Sequence, residues 1–170
     1  MSELSDLALL GFAALALFSI YILRVLWGWL AALAKPKPAQ NAVIVDGSNV
    51  MFWGGDPSPV VLTRVIESLR DKGFTPYVIF DANVGYKLQD RYMDDAAMAR
   101  LLALPAKQVY VVPKGVIADE HVLEVASERG LRVVSNDRFR DWKVRYPIVA
   151  EKGRILRGTC KGGGVQWQSL

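Results

Sequence analysis

The stretch VIVDGSNVMFW, residues 43–53, is an apolar run that stops abruptly at an aspartate, a glycine, a serine and an asparagine. Its β-branched start, Ala42 to Asp46, predicts a short buried strand. A carboxylate, Asp46, and a carboxamide, Asn49, therefore stand where that strand ends. Ligands bind at this edge of parallel sheets, so these two residues are the first candidates for a functional site.

Strands and helices alternate along the chain that follows. Apolar residues at helical spacing predict three helices, over Pro57–Gly73, Asp94–Leu104 and Ala118–Gly130. Short β-branched runs predict three more strands, over Thr75–Asn83, Gln108–Pro113 and Leu131–Asp137. This alternation is typical of βαβ units, and it predicts an α/β domain over residues 42–170 with a mostly parallel central sheet. The Gly-rich, basic tail from Ile148 onward predicts two short strands or a loop.

The N-terminal part has a different character. Leu7 to Leu23 contains no charged residue, and the apolar composition continues past Arg24 to Ala34, which predicts a transmembrane helix over residues 7–34. A signal peptide or a buried core helix is the alternative, although the acidic start is unusual for the first and the missing polar face for the second. The basic residues that follow the span predict that the rest of the chain is cytoplasmic. The proline-rich segment KPKPAQN, residues 35–41, is expected to be a stiff linker.

Composition excludes several kinds of site. The single cysteine, Cys160, excludes an internal disulfide and agrees with a reducing compartment, and the single histidine, His121, argues against a histidine-rich zinc site. The chain has a net charge of +4. Only Glu3, Asp6 and Arg24 among its charged residues precede residue 35, so the predicted domain is itself basic and biased toward polyanions or anionic lipid.

Acidic residues recur where the predicted strands end. Asp46 and Asp137 end the first and fourth strands, and Asp119 opens the helix after the third. The topology brings these three acids to one edge of the sheet, with Asp81 and Asp141 as further candidates. Clustered carboxylates repel one another unless a cation neutralises them, and all-oxygen ligands suit Mg²⁺ or Mn²⁺. We therefore predict a divalent-cation site at Asp46, Asp119 and Asp137, with Asn49 orienting it.

A simpler interpretation applies to any one aspartate alone. Aspartates at strand ends and helix starts are commonly turn formers and N-caps. This interpretation is preferred for Asp81, Asp94, Asp95 and Asp141 taken singly. It is weaker for Asp46, Asp119 and Asp137, because all three are expected at the same edge of the sheet.

The C-terminal third is rich in cations. Basic groups follow a phosphate backbone and aromatic rings stack on unpaired bases, which favours RNA binding here. Attraction to an anionic membrane is the alternative. Phe139 and Trp142 are expected to pack in the core rather than bind RNA. The candidate RNA contacts are Arg138, Arg140, Lys143, Arg154, Arg157 and Lys161.

Three motifs in order, VIVDGSNV, ADEHVLEVA and VVSNDRFRDW, resemble the PIN-like NYN ribonucleases, most closely the Regnase/MCPIP-type catalytic domain. The resemblance covers residues 42–142. It implies a three-layer PIN-like fold and a Mg²⁺-dependent endoribonuclease that leaves 5′-phosphate and 3′-hydroxyl ends.

The resemblance also implies site residues. Asp46 and Asn49 match the first motif, Asp119 matches the second of two adjacent family aspartates, and Asp137 and Asp141 match the last motif. Ala118 stands where the family has the first aspartate of that pair, which affects the number of metal ions or the rate.

The sequence leaves three functions open. The first hypothesis is a membrane-anchored, metal-dependent endoribonuclease with RNA as its substrate, and a homodimer is open. The second is a degenerate nuclease fold that binds RNA or protein without cutting, which Ala118 favours. The third is a phosphatase of the haloacid-dehalogenase kind, which requires an aspartate two residues after its nucleophile, where this chain has Ser48 after Asp46.

Overall fold

A computed structural model describes residues 15, 17–25 and 41–169. The chain divides into two units, residues 1–37 and 38–170. Residues 15 and 17–25 are helical. Within the described residues, no helix combines the length and the apolar character needed to cross a membrane. Most of the predicted transmembrane segment, residues 7–34, and all but one residue of the predicted linker, residues 35–41, lie outside the described residues.

The second unit is built on a six-stranded sheet. Its strands are β1 (Ala42–Asp46), β2 (Thr75–Phe80), β3 (Val109–Val111), β4 (Arg132–Val134), β5 (Ile155–Lys161) and β6 (Gly164–Ser169). They lie in the order β3-β2-β1-β4-β5-β6, and every neighbouring pair is parallel except the hairpin β5–β6. The carboxyl ends of β1 to β4 therefore meet at one edge.

Helices cover both faces of this sheet. They are α1 (Gly47–Val50), α2 (Pro59–Asp71), α3 (Val84–Gln89), α4 (Asp95–Leu101) and α5 (Ala118–Arg129). Val43 and Val45 of β1 point into a core with α2, α3 and α4, whereas Ile44 between them points into a second core with α5. Alternate side chains thus fill opposite faces, which makes a three-layer α/β domain.

Most predicted elements are present, with shorter bounds. β1 has the predicted bounds, and α5 differs from its prediction only by leaving out Gly130, whose left-handed conformation ends the helix. Asp94 caps α4 as expected, because its side chain accepts a hydrogen bond from the Ala97 amide (2.8 Å). The tail forms two strands rather than a loop. α3 has no counterpart in the prediction.

Glycine at position 47 is required by close packing. The ring of Phe80, at the end of β2, lies where a Cβ atom on Gly47 would be. Any larger residue would push the start of α1 away from β2. Because α1 begins directly after Asp46, this contact fixes the direction in which the chain leaves β1.

Candidate active site

Asp46 lies at the carboxyl end of the central strand β1, and it is 3% exposed. Its two carboxylate oxygens each accept a hydrogen bond: Oδ1 from the amide of Asn49 (3.1 Å) and Oδ2 from the hydroxyl of Ser135 (2.8 Å). Asp46 is thereby the N-cap of α1 and is tied to the end of β4. The fold holds this carboxylate in one orientation.

The surroundings of Asp46 oppose its charge. The pKa of this carboxyl is raised from its ordinary value of 3.8 to about 7, mainly by burial and also by the nearby charges of Asp119 and Asp81, against the lowering effect of the two hydrogen bonds. A buried carboxylate with like-charged neighbours is stabilised by a proton or by a cation. A pKa shift of this kind is typical of functional sites.

Asp119 lies in the first turn of α5, facing the same edge of the sheet. Its pKa is raised, first by partial burial and then by the charges of Asp137 and Asp81. Together with their effects on Asp46, these interactions link four carboxylates: those of Asp46, Asp81, Asp119 and Asp137. These effects connect Asp46 with Asp119 and Asp119 with Asp137, and the shared cation site predicted for the three acids stays a prediction.

Asp137 is held by its own loop. Its backbone amide donates to the hydroxyl of Ser135 (3.0 Å), and its Oδ1 accepts from the amide of Phe139 (2.6 Å). Phe139 has a left-handed backbone (φ 46°) and a buried ring, so the predicted core position of this ring is confirmed. Ser135 therefore joins two acidic motifs through one hydroxyl, as donor to Asp46 and acceptor from Asp137.

The carboxamide of Asn49 has a defined orientation. Its Oδ1 accepts hydrogen bonds from the indole N–H of Trp53 (3.1 Å) and from the amide of Asn136 (2.9 Å). Both donors are N–H groups, so the oxygen of the carboxamide must face them. The oxygen is engaged twice and is a poor metal ligand here. The NH₂ group of Asn49 remains as a donor for a substrate phosphate.

Two further positions of the family-like motifs contribute no charge to this group. Asp141, in the 3₁₀ turn Arg140–Trp142, is exposed, and it is not among the charges that raise the pKa of Asp46 or Asp119. Ala118, the first residue of α5, is buried against the second core. It places a methyl group at the position where the Regnase/MCPIP-type sequences that the chain resembles have a carboxylate.

A basic pocket lies beside Asp137. We use this name for a cavity of about 570 Å³ lined by Asn136, Arg138, Arg140, Lys143, Val149, Arg157 and Gln168. Four of the six predicted RNA contacts, at positions 138, 140, 143 and 157, are thus together. Arg154 lies elsewhere, paired with Glu151 (3.2 Å) and bonded to the carbonyl of Gly130 (2.9 Å), and Lys161 is exposed at the end of β5.

The comparison with known families agrees with this architecture. The profile of the family described as "Zc3h12a-like Ribonuclease NYN domain" matches residues 39–156, more than half of the chain. The chain belongs to this family. It therefore contains a PIN-like NYN ribonuclease domain, and the family supports RNA as its substrate. No curated protein matches.

Two solved structures of another protein share the fold. Two structures of the protein-only RNase P 2, PRORP2, of Arabidopsis thaliana have TM-scores of 0.59 at 18% identity, covering 86% and 90% of this chain. This chain spans about a third of the PRORP2 chains, 36% and 34% of their lengths. The PIN domain endonuclease Utp24 has a TM-score of 0.36 at 14% identity, over 76% of this chain and 92% of that one.

Three further residues surround these acids in the NYN domain. Asp81, which was only a further candidate from the sequence, acts by its charge on both Asp46 and Asp119. The hydroxyl of Ser135 donates a hydrogen bond to Asp46, and the indole N–H of Trp53 donates one to Asn49. The serine inside the SND motif was a usable signal, whereas the contact of Trp53 with Asn49 depends on packing that no local pattern reveals.

The acids of the NYN domain have the chemistry of a Mg²⁺ site without three preformed ligands. Among the described residues, no group of three or more Asp, Glu, His or Cys side chains is arranged to hold a metal ion directly. Mg²⁺ commonly takes one or two carboxylates and keeps several waters, and a buried carboxyl with raised pKa favours a neighbouring cation. The residues therefore fit a hydrated divalent cation, and the prediction of three direct ligands stays a prediction.

Proposed function

We propose that this chain is a divalent-cation-dependent endoribonuclease that hydrolyses phosphodiester bonds in RNA. One observation carries the proposal: a buried, doubly hydrogen-bonded Asp46 lies within electrostatic range of Asp119 and Asp81, at the ligand-binding edge of a ribonuclease NYN domain. The basic pocket beside Asp137 supplies cations for the strand that carries the scissile phosphate.

The acids and the carboxamide have separate roles in this proposal. Asp46, Asp119 and Asp137 would hold Mg²⁺, directly or through water. The ion supplies charge stabilisation at a phosphoryl oxygen and lowers the pKa of water. The NH₂ group of Asn49 donates to a non-bridging phosphate oxygen, since its own oxygen is engaged by Trp53 and Asn136. In the reaction, water adds to phosphorus and the P–O3′ bond breaks, which gives 5′-phosphate and 3′-hydroxyl ends.

A binding module is the second candidate, and Ala118 favours it. The methyl group of Ala118 cannot ligate a cation, and it stands at the start of α5, beside Asp119. A domain that has lost one acid can keep its RNA-binding surface without cutting. The basic pocket would then serve binding alone.

We also propose that the N-terminal segment anchors the domain to a membrane, with the domain on the cytoplasmic side. Leu17, Phe18 and Ile20 are apolar and exposed in the helical residues 17–25, which supports contact with lipid. Fractionation of cells that express the full chain tests this proposal. Recovery in the membrane fraction after a high-salt wash supports the anchor, and recovery in the supernatant rejects it.

The decisive experiment compares the full chain with its Asp46→Asn variant on end-labelled RNA, with Mg²⁺ and with EDTA. The proposal expects internal cuts with 5′-phosphate ends that require both Mg²⁺ and Asp46. RNA binding without cleavage by the wild type would favour the binding module. Identical cleavage by wild type and variant would reject the enzymatic proposal.

A further inference from the structure

A second cavity opens on the opposite side of the acids from the basic pocket. We call it the tyrosine pocket: a cavity of about 860 Å³ whose lining includes Tyr86, Tyr92 and Tyr110. Its floor is formed by Ala82 and Asn83, which follow β2, and by Val111 to Lys114 at the end of β3. Ala82 adjoins Asp81, whose charge acts on Asp46 and Asp119. The tyrosine pocket is therefore at the catalytic edge of the sheet.

The three tyrosines are unusually exposed for aromatic residues that share one cavity. Their exposed fractions are 55% for Tyr86, 64% for Tyr92 and 39% for Tyr110. Tyr86 is on α3 and Tyr92 follows that helix, whereas Tyr110 is on the edge strand β3 and contacts His121 (5.1 Å between ring centroids). Tyrosines from separate elements thus line one open space. Exposed aromatic rings beside a nuclease site are suited to stacking on unpaired bases.

Charge distinguishes the two cavities. The basic pocket is lined by four cations and no acid, whereas the lining of the tyrosine pocket holds two carboxylates, those of Asp94 and Asp95, and one cation, Lys114. Backbone amides hold both carboxylates: Ala97 donates to Asp94 (2.8 Å) and Val111 donates to Asp95 (2.7 Å). Carboxylates repel a phosphate and accept hydrogen bonds from the amino groups of bases. The tyrosine pocket therefore suits a base, and the basic pocket suits the backbone.

The order of the strands separates the two cavities. The tyrosine pocket is at the ends of β2 and β3, Asp46 ends β1, Asp137 follows β4, and the basic pocket is at β4 and β5. Three strand spacings separate the cavities, roughly 14 Å at about 4.8 Å each. A few nucleotides of one RNA strand cover that distance. A strand with its backbone in the basic pocket would pass the acids and present a base to the tyrosines.

We propose that the tyrosine pocket binds an unpaired nucleobase of the RNA substrate, so that the strand is held on both sides of the cut. This proposal rests on the function proposed above and deepens it: the substrate is single-stranded on the β3 side of the cut. A duplex would keep its bases paired and away from the rings.

The test measures binding of a fluorescent single-stranded RNA by the full chain in EDTA. Tyr86→Ala with Tyr92→Ala should raise Kd by about 5- to 150-fold, since stacking of one base contributes about 1–3 kcal/mol. The matched control is Tyr86→Phe with Tyr92→Phe, which keeps the rings and should bind within about twofold of the wild type. Both tyrosines are exposed, so thermal unfolding should be unchanged; Tyr86→Ala alone serves if the double variant is unstable.

A set of RNAs, each with one abasic nucleotide, identifies the stacked base. One position should weaken binding to the wild type and have no further effect on the double alanine variant. Equal binding by the wild type and the alanine variant would overturn the proposal, and so would equal losses in the alanine and phenylalanine variants. If the wild type shows this tyrosine-dependent binding but does not cut RNA, the proposed endoribonuclease activity is wrong and the proposed base binding by the tyrosine pocket stands. If the protein cuts RNA, and neither cleavage nor binding changes when these tyrosines are replaced, only the proposed base binding by the tyrosine pocket is wrong.

Discussion

The two acidic motifs, residues 46–49 and 137–141, have contrasting surroundings. Asp46 is buried, and both of its oxygens accept hydrogen bonds from the domain itself. Asp141, the last acid of the second motif, is exposed on a short 3₁₀ turn. The difference shows that the fold buries and orients one carboxylate, which raises its pKa, whereas the exposed acid stays solvated.

Among substitutions in the two motifs, replacement of Asp46 is expected to have the largest effect on the cleavage rate. Asp46→Asn keeps the shape of the side chain but removes the charge that attracts a cation, so the cleavage rate should fall by roughly 1,000-fold, comparable to the loss of a main electrostatic group in other enzymes. Single-turnover cleavage of a labelled RNA measures it. A loss below about tenfold would mean that the buried carboxylate is structural.

The stability of the metal-free protein should depend on pH through the same residue. The pKa of Asp46 is about 7 in the folded state and 3.8 ordinarily, so the folded state keeps a proton that the unfolded state has lost between these values. Stability is therefore highest below about pH 4 for this group and falls as pH rises through 7, by up to about 4 kcal/mol. Urea unfolding in EDTA across this range measures the fall.

The control for the pH experiment is Asp46→Asn, which cannot titrate at this position. Its stability should decline much less between pH 5 and pH 8 than that of the wild type. Added Mg²⁺ should reduce the decline in the wild type, because a cation stabilises the ionised carboxylate. Parallel pH profiles for the two proteins would show that Asp46 does not cause the effect.

Trp53 is expected to act through Asn49. Trp53→Phe keeps an aromatic ring but removes the N–H that orients the carboxamide, so cleavage should fall by about 10- to 100-fold, as for other supporting partners of a site. The same substitution should have no further effect in an Asn49→Ala background. The matched control is Ser68→Ala, which removes the acceptor for the indole N–H of Trp167 (3.0 Å), a ring that packs against Trp53 (5.8 Å between ring centroids), and leaves the hydrogen bond from Trp53 to Asn49 in place.

Kinetics separate these variants. Trp53→Phe should lower kcat, and because Trp53 is buried in the core it should also lower thermal stability more than Ser68→Ala does. If Trp53→Phe and Asn49→Ala were additive, Trp53 would act independently of the carboxamide, and the orientation assigned to Asn49 would be wrong.

The smallest effect is expected for Asp141. This side chain is exposed and does not act on the pKa of Asp46 or Asp119. The cleavage rate of Asp141→Asn should therefore stay at least tenfold above that of Asp46→Asn. The same cleavage assay measures both. Equal losses would show that the rim acid reaches the site when RNA is bound, and they would remove the contrast between the two motifs.

The β-branched run that ends at Asp46 and the glycine after α5 were sufficient to predict those elements. α3 was missed because six residues are too few for a helical period, and because Gly85 within it weakens the local signal. The structure explains this glycine: a Cβ atom on it would meet the carbonyl of Arg91. Tertiary packing, rather than local propensity, selects the residue there.

Strand topology predicts one edge for Asp46, Asp119 and Asp137, because the ends of parallel strands meet there, with Asp81 and Asp141 as further candidates. The topology does not predict that the charge of Asp81 acts on Asp46 and Asp119 whereas that of Asp141 does not. Asp81 belongs to the group because β2 lies beside β1, and its own amide donates to the hydroxyl of Ser48 (2.8 Å). These effects depend on neighbouring strands and on burial, which a residue pattern does not contain.

Calorimetric titration of the full chain with Mg²⁺, without RNA, tests the central claim most directly. The account predicts saturable binding that is lost in Asp46→Asn and weakened in Asp119→Asn. Asp141→Asn should bind like the wild type. Equal Mg²⁺ affinity in the wild type and in Asp46→Asn would contradict the assignment of this edge of the sheet as the cation site.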